Sequence, residues 1–234
     1  GVYIGDKWVM TAGHCVDSQN LFIKVKYGLT DICEVIPNNR INVVRYYVHP
    51  DFETDNYDND IALLELERSL EDEVIPIDYG VLECDNGCVT SYGWGLVDDG
   101  TQSCILHKGH PDELLSGFFD SQLIYSADIE SIDLGDSGGP LVATYPPAYE
   151  PILVGITSTT TPLSLEQNFT NVFYYQDWID DVLQGEIEGI ETEISNPPIP
   201  RHTTSNIWHA VSLTGITFIA YRVGAEMAPY IQRR

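Results

Sequence analysis

The chain has 234 residues, 43% of them hydrophobic and 11% aromatic, with 19 Gly and 13 Pro. That is enough for one domain with a sizeable core, or two small ones, and it excludes a disordered or low-complexity chain. Thirty-six acidic residues against eleven basic ones give a net charge of −25. This argues against nucleic acid as a partner, because phosphate binding needs clustered Lys and Arg, and it fits solubility or a salty medium better than a dedicated cationic ligand.

No signal peptide opens the chain. Gly1 leads directly into a patterned strand, so the beginning of the protein is expected to lie upstream of it. Short apolar runs rich in Val, Ile, Tyr and Thr follow, separated by Asn, Asp, Gly and Pro. They predict strands at Trp8–Ala12, Leu21–Tyr27, Ile41–Val48, Ile61–Leu66, Cys88–Tyr92, Leu141–Ala143 and Ile152–Thr157. Many short strands at this spacing imply an all-β sandwich or barrel. The pattern then changes. Tyr174–Leu183 places Tyr175, Trp178, Ile179 and Val182 at helical spacing, which predicts a closing amphipathic helix. Gly185–Asn206 is acidic and then Pro-rich, a linker composition. Ile207–Val223 is mostly apolar and 17 residues long, at the short end of the roughly 17–25 residues that span a bilayer. Trp208 and Tyr221 sit near its ends and Arg222, Arg233 and Arg234 at or beyond its close. Two readings stand equally there: a membrane anchor with the preceding domain outside, or a packed helix or disordered tail. The domain plan is therefore 1–184, a linker over 185–206, and an apolar segment over 207–234.

The five cysteines are Cys15, Cys33, Cys84, Cys88 and Cys104. The odd count predicts an unpaired thiol or a partner outside the chain. Cys84 pairing with Cys88, and Cys88 with Cys104, are both open.

Three local sequences carry chemistry: Thr11-Ala12-Gly13-His14-Cys15, Asp58-Asn59-Asp60-Ile61-Ala62-Leu63-Leu64, and Gly135-Asp136-Ser137-Gly138-Gly139-Pro140. Acyl transfer to water by a serine needs a base to take the hydroxyl proton, and imidazole suits that task near neutral pH. A buried carboxylate must fix the imidazole tautomer, and two backbone N–H groups must face the developing oxyanion. Ser137 lies among glycines that let the chain turn sharply, which makes the N–H groups of Gly135 and Ser137 the expected oxyanion donors. His14 ends one apolar run and Asp60 precedes another, so both are expected at strand ends. A lone histidine, a lone turn aspartate or a lone Gly-rich loop is usually structural; the ordered joint occurrence is what carries the signal.

These motifs resemble those around the triad of the chymotrypsin/trypsin family, in the family's order of His, Asp, Ser, over roughly Gly1 to Leu183. Ser91–Gly95 and Gly155–Ser158 are similar to further family segments. The resemblance implies two six-stranded antiparallel β-barrels of the chymotrypsin type, the first incomplete, with a C-terminal helix. It implies a secreted, monomeric serine endopeptidase acting on peptide or protein substrates, with no cofactor and no metal. His14, Asp60 and Ser137 would be catalytic, and Ser158 would hydrogen-bond the aspartate and pair with the substrate backbone. Asp136 would receive the α-amino group freed when a zymogen is cleaved. A cysteine just upstream of Gly1 would bond Cys15. The family's loop disulfides near Asp133 and within 108–130 have no counterpart. Ser131 stands where trypsin-like members carry a selecting carboxylate, and Thr160 and Gln167 fall near the pocket wall and base, so an uncharged side chain is expected before the scissile bond. The competing reading is a silent protease homologue that serves as a binding module.

Overall fold

The structure is a computed structural model. It describes residues 1–16, 22–70, 78–80, 89–97, 100–111, 123–126, 133–144, 151–161, 166–192, 216–220 and 231–232. The fold is all-β with one short α-helix, as a trypsin-like two-barrel architecture requires.

The first sheet contains β1 (Val2–Gly5), β2 (Trp8–Thr11), β3 (Ile23–Tyr27), β4 (Arg40–Val48) and β5 (Ala62–Leu66). Their order is β1-β2-β5-β4-β3, all neighbours antiparallel. The second sheet contains β6 (Asp78–Tyr79), β7 (Val89–Gly93), β8 (His107–Gly109), β9 (Leu123–Ser126), β10 (Pro140–Thr144), β11 (Pro151–Thr161) and β12 (Glu166–Asn171). Its main path runs β8-β7-β10-β11-β12-β9. The helix α1, Gln176–Leu183, buries Trp178, Ile179 and Val182, the residues whose spacing predicts it.

Three cores explain the sequence pattern. Tyr3, Val9, Ile23, Val25, Ile41, Ala62, Leu64 and Leu66 fill the inside of the first sheet. Val89, Ile124, Leu141, Ala143, Val154 and Phe169 fill the second. Between the sheets lie Trp8, Met10, Ile61, Leu63, Trp94, Val142, Leu153, Ile156 and the helix face. A strand bordering two cores cannot alternate apolar with polar, and all five residues of β5 are buried. Its one charged residue, Glu65, accepts from Lys7 at 2.6 Å, from Tyr47 at 3.2 Å and from Arg45 at 3.3 Å, which satisfies the charge.

Three short strands follow Leu183. Within the expected linker, β13 (Ile190–Glu191) pairs antiparallel with β4, Ile190 opposite Tyr46 and Glu191 opposite Arg45. Within the apolar segment, β14 (Ile216–Ala220) pairs in parallel with β3 at the end of the sheet's order among the described residues. A last short strand, β15 (Ile231–Gln232), pairs with β8. Among the described residues the two sheets hold seven and eight strands, of which β14, β15 and β6 pair in parallel. Among the described residues no helix is long and apolar enough to cross a membrane.

The disulfide is Cys33–Cys104, which joins the β3–β4 loop of the first sheet to the β7–β8 connection of the second. This rules out Cys88 with Cys104; Cys84 and Cys88 lie outside the described residues. Among the described residues Cys15 has no disulfide partner.

Candidate active site

β2 and β5 are antiparallel neighbours with Thr11 opposite Ala62. The residues just after β2 and just before β5 therefore emerge side by side. After β2 the chain enters a 3-10 turn, Gly13–Cys15, which carries His14. Asp60 stands two residues before the start of β5 and is fully buried. Its Oδ1 accepts the His14 backbone N–H at 2.8 Å, and its Oδ2 lies 2.8 Å from His14 Nδ1. The carboxylate thus fixes both the main chain and the ring of one residue, and Nδ1 is its donor. A third bond comes from the other sheet: Ser158 Oγ donates to Asp60 Oδ2 at 2.5 Å. Ser158 sits on β11 where the register with β12 shifts between Thr157 and Thr159, a bulge that re-aims one side chain. Thr170 Oγ1 on β12 donates to the Asp60 carbonyl at 2.8 Å, and Tyr175 Oη to Asn59 Oδ1 at 3.1 Å.

Burial disfavours the charged His14 ring, but the Asp60 carboxylate and the Cys15 sulfur together outweigh it. The net effect raises its pKa from 6.5 to about 10. Cys15 Sγ lies 3.7 Å from His14 Nε2. The Tyr57 ring meets the imidazole edge-on at 5.3 Å between centroids.

Ser137 precedes β10 and is exposed. Its Oγ makes a long 3.5 Å bond to the Ser158 carbonyl, and among the described residues it has no hydrogen bond to His14. The loop is held by Gly138 N–H to the Thr157 carbonyl at 2.8 Å and Gly139 N–H to the Asp136 carbonyl at 2.9 Å. Gly135 has φ +97° and Gly138 φ +75°. A Cβ on Gly138 would stand 2.2 Å from Thr11 Oγ1, so both the conformation and the space demand glycine. No described residue accepts from the N–H of Gly135 or of Ser137, which leaves both donors available beside the hydroxyl.

Asp136 is buried. Its Oδ1 accepts Gly95 N–H at 2.7 Å and its Oδ2 accepts Asp133 N–H at 2.8 Å. A Cβ on Gly93 would come within 1.7 Å of that carboxylate, and one on Gly95 within 2.7 Å, so the Ser91–Gly95 segment is glycine-rich to seat it. Of the expected pocket residues, Thr160 and Gln167 are direct partners across β11 and β12, and Gln167 is buried. Ser131 lies outside the described residues. Sequence reading overlooks Tyr57, Thr170 and the Cys15–His14 contact. Tyr57 is one of 14 tyrosines and sits in an irregular loop, where no periodicity marks it.

The family model described as Trypsin matches residues 1–179. The chain is 29% identical over 205 residues to Kallikrein-8 of Rattus norvegicus, covering 76% of this chain and 74% of that protein. It is 29% identical over 215 residues to the Trypsin of Phaedon cochleariae, covering 77% of each. With the Complement C1r subcomponent-like protein of Mus musculus it shares 29% identity over 220 residues, 80% of this chain but only 45% of that protein. A family match over three quarters of the chain, together with the two-sheet fold, settles membership: the chain belongs to the trypsin family of serine proteases.

Proposed function

We propose that the chain is a serine endopeptidase that hydrolyses peptide bonds through an acyl-enzyme on Ser137. The observation that carries this is the Asp60 carboxylate, buried and bonded to His14 Nδ1 and Ser158 Oγ. That bond leaves Nε2 as the ring nitrogen that exchanges a proton with substrate-side groups.

In this reading His14 Nε2 takes the Ser137 hydroxyl proton as Oγ attacks the substrate carbonyl. The tetrahedral oxyanion is held by the N–H groups of Gly135 and Ser137. His14 then gives the proton to the leaving amine, and the C–N bond breaks. Water repeats the sequence on the acyl-enzyme, transferring one proton through His14 and freeing Oγ. Asp60 stays ionised throughout and stabilises the imidazolium. These roles and the magnitudes below follow the general serine-triad template rather than a value particular to this chain. Replacing Ser137 or His14 by Ala lowers peptide turnover by roughly 10⁴–10⁶. Wild-type turnover in Ser137→Ala would overturn the assignment.

Ser131, Thr160 and Gln167 shape the specificity pocket in this reading, and none carries a charge. We expect cleavage after uncharged side chains, which a peptide library tests; strict cleavage after Arg or Lys would refute it. Asp136 is the group on which activation acts: a freed α-amino group would join the Gly95 and Asp133 amides at its carboxylate and set the oxyanion loop around Gly135. The Cys33–Cys104 disulfide supports a secreted, oxidising setting, and monomeric action on protein substrates completes the proposal.

A further inference from the structure

Cys33 and Cys104 are joined, and both residues are exposed. A cystine sealed in a core is beyond the reach of a thiolate, whereas an exposed one is of the labile kind. What the bond holds decides what its opening does. On the Cys33 side, the chain runs antiparallel to the segment around Cys104. Ile32 N–H donates to the Cys104 carbonyl at 2.8 Å, Leu106 N–H to the Thr30 carbonyl at 2.8 Å, and Asp31 stands opposite Ile105. On the Cys104 side, the preceding residue Ser103 donates its N–H to the Gly95 carbonyl at 3.2 Å, and Gln102 stands opposite Leu96. Gly95 N–H in turn donates to Asp136 Oδ1 at 2.7 Å, and Leu96 N–H to the Leu134 carbonyl at 2.9 Å. The disulfide therefore lies at the outer end of a continuous series of backbone bonds that finishes on the carboxylate next to Ser137.

Gly95 N–H is one of two amides on the Asp136 carboxylate, Asp133 N–H being the other. With the disulfide closed, Cys104 is fixed through Cys33 to the first sheet, so Ser103 and Gly95 are held from outside their own sheet. With it open, Ser103 keeps only its local partners, Gly95, Ile105 and His107. The neighbouring Thr101 and Gln102 are exposed, and a connection with few buried contacts opens locally at small cost once a crosslink is gone.

We propose that Cys33–Cys104 is a reducible switch, opened by a dithiol, and that its opening loosens the oxyanion loop around Gly135. A thiolate of the dithiol attacks one sulfur and forms a mixed disulfide; the Cys33–Cys104 bond breaks, and the other cysteine leaves as a thiolate and takes up a proton. The dithiol's second thiol gives up its proton and attacks the mixed disulfide, which releases the remaining cysteine as a thiol. Two electrons and two protons pass in all, and the dithiol ends as a disulfide. A monothiol is a poor reagent here, because the bonds of Ile32 and Leu106 keep the freed cysteine beside the mixed disulfide and favour reclosure. The Asp31 carboxylate, within 4.8 Å of both sulfurs, repels reagents that carry further negative charge. The effect on Ser137 rests on the peptidase reading above; the effect on the backbone bonds does not.

The test uses the full chain, its free thiols first blocked with iodoacetamide, then treated with dithiothreitol and tagged with N-ethylmaleimide. Mass spectrometry finds the tags on Cys33 and Cys104 while the chain is still folded. Hydrogen exchange at the Gly95 and Ser103 amides quickens, and fluorophosphonate labelling of Ser137 slows about fivefold or more, in the range usual for coupled sites. Reoxidation with diamide restores both. The double variant Cys33→Ser, Cys104→Ser behaves as the reduced chain does and ignores dithiothreitol. Opening of the bond only on unfolding, unchanged exchange at Gly95 and Ser103 once it is open, equal labelling of the oxidised and reduced chains, or a double variant that labels as fast as the oxidised chain would each overturn the proposal. If that variant does not fold, the exchange comparison on the wild-type chain decides. If Ser137 labels in neither state, the peptidase reading fails, and exchange at the same two amides still decides the switch.

Discussion

Asp60 illustrates how a buried charge is made tolerable: it accepts from His14 N–H, His14 Nδ1 and Ser158 Oγ, so its desolvation is offset by three donors. His14, one bond away, is left with a difficulty. In the proposed mechanism His14 is the general base and must be neutral, so the rising limb of activity against pH would follow its pKa, and a pKa raised to about 10 moves that limb into the alkaline range. Part of the rise comes from Cys15, whose sulfur lies 3.7 Å from His14 Nε2, the nitrogen that receives the serine proton in the proposed mechanism. Removing the sulfur with Cys15→Ala, or capping the thiol in a disulfide, lowers the His14 pKa and shifts the limb of kcat/KM towards neutral pH. A pH–rate profile of wild type and variant checks this, and coincident limbs would show that the sulfur has no hold on His14. At this scale the sequence is informative where chemistry is local. His14, Asp60 and Ser137 each sit in a motif of five to seven residues that can be read by eye. The Cys15 contact and the Tyr57 ring depend on side-chain directions in a 3-10 turn and an irregular loop, where residue order alone sets no geometry.

The elements that present these residues were legible from composition as far as α1. β2, β4, β5 and α1 fall within a residue or two of the apolar runs that predict them. β1 and β8 are too short to show alternation. The pairing of the segment after α1 is not legible in composition for a different reason. Strand pairing is made by backbone groups, so an acidic, Gly-containing stretch can pair as well as an apolar one when an edge is open. β4 offers that edge. Thr192 N–H donates to the Val44 carbonyl at 3.1 Å, Thr192 Oγ1 to the Val43 carbonyl, and Arg45 lies 3.5 Å from Glu191. Residues 184–192 are thus a strap from the helix to the first sheet rather than a free spacer. Truncation after Leu183 uncovers β4 and lowers stability by about 1–2 kcal/mol, a fall in midpoint of roughly 2–4 °C per kcal/mol, whereas truncation after Thr192 retains the strap. Calorimetry of the two truncated chains decides; identical midpoints would mean that the strap contributes nothing.

On the scale of the whole molecule, the site lies where the two sheets meet. His14 and Asp60 come from the first sheet; Ser137, Ser158 and Thr170 come from the second. The apolar layer from Trp8 and Met10 to Val142, Ile156 and Trp178 holds the halves in register, and Cys33–Cys104 ties them again at the hairpin. No sequence pattern could select that pairing, because its two cysteines are 71 residues apart and only the closed fold brings them together. In this structure Ser137 Oγ points to the Ser158 carbonyl rather than to His14. Catalytic hydrogen bonds of this kind are often long or poorly aligned before substrate binds. The central claim is that Ser137 becomes a nucleophile through His14. It is tested most directly by treating the full chain with a fluorophosphonate probe and locating the adduct by mass spectrometry. The account predicts one covalent adduct, on Ser137, that is lost in Ser137→Ala and strongly slowed in His14→Ala. An unlabelled chain after activating cleavage, or an adduct equally abundant in Ser137→Ala, would contradict it.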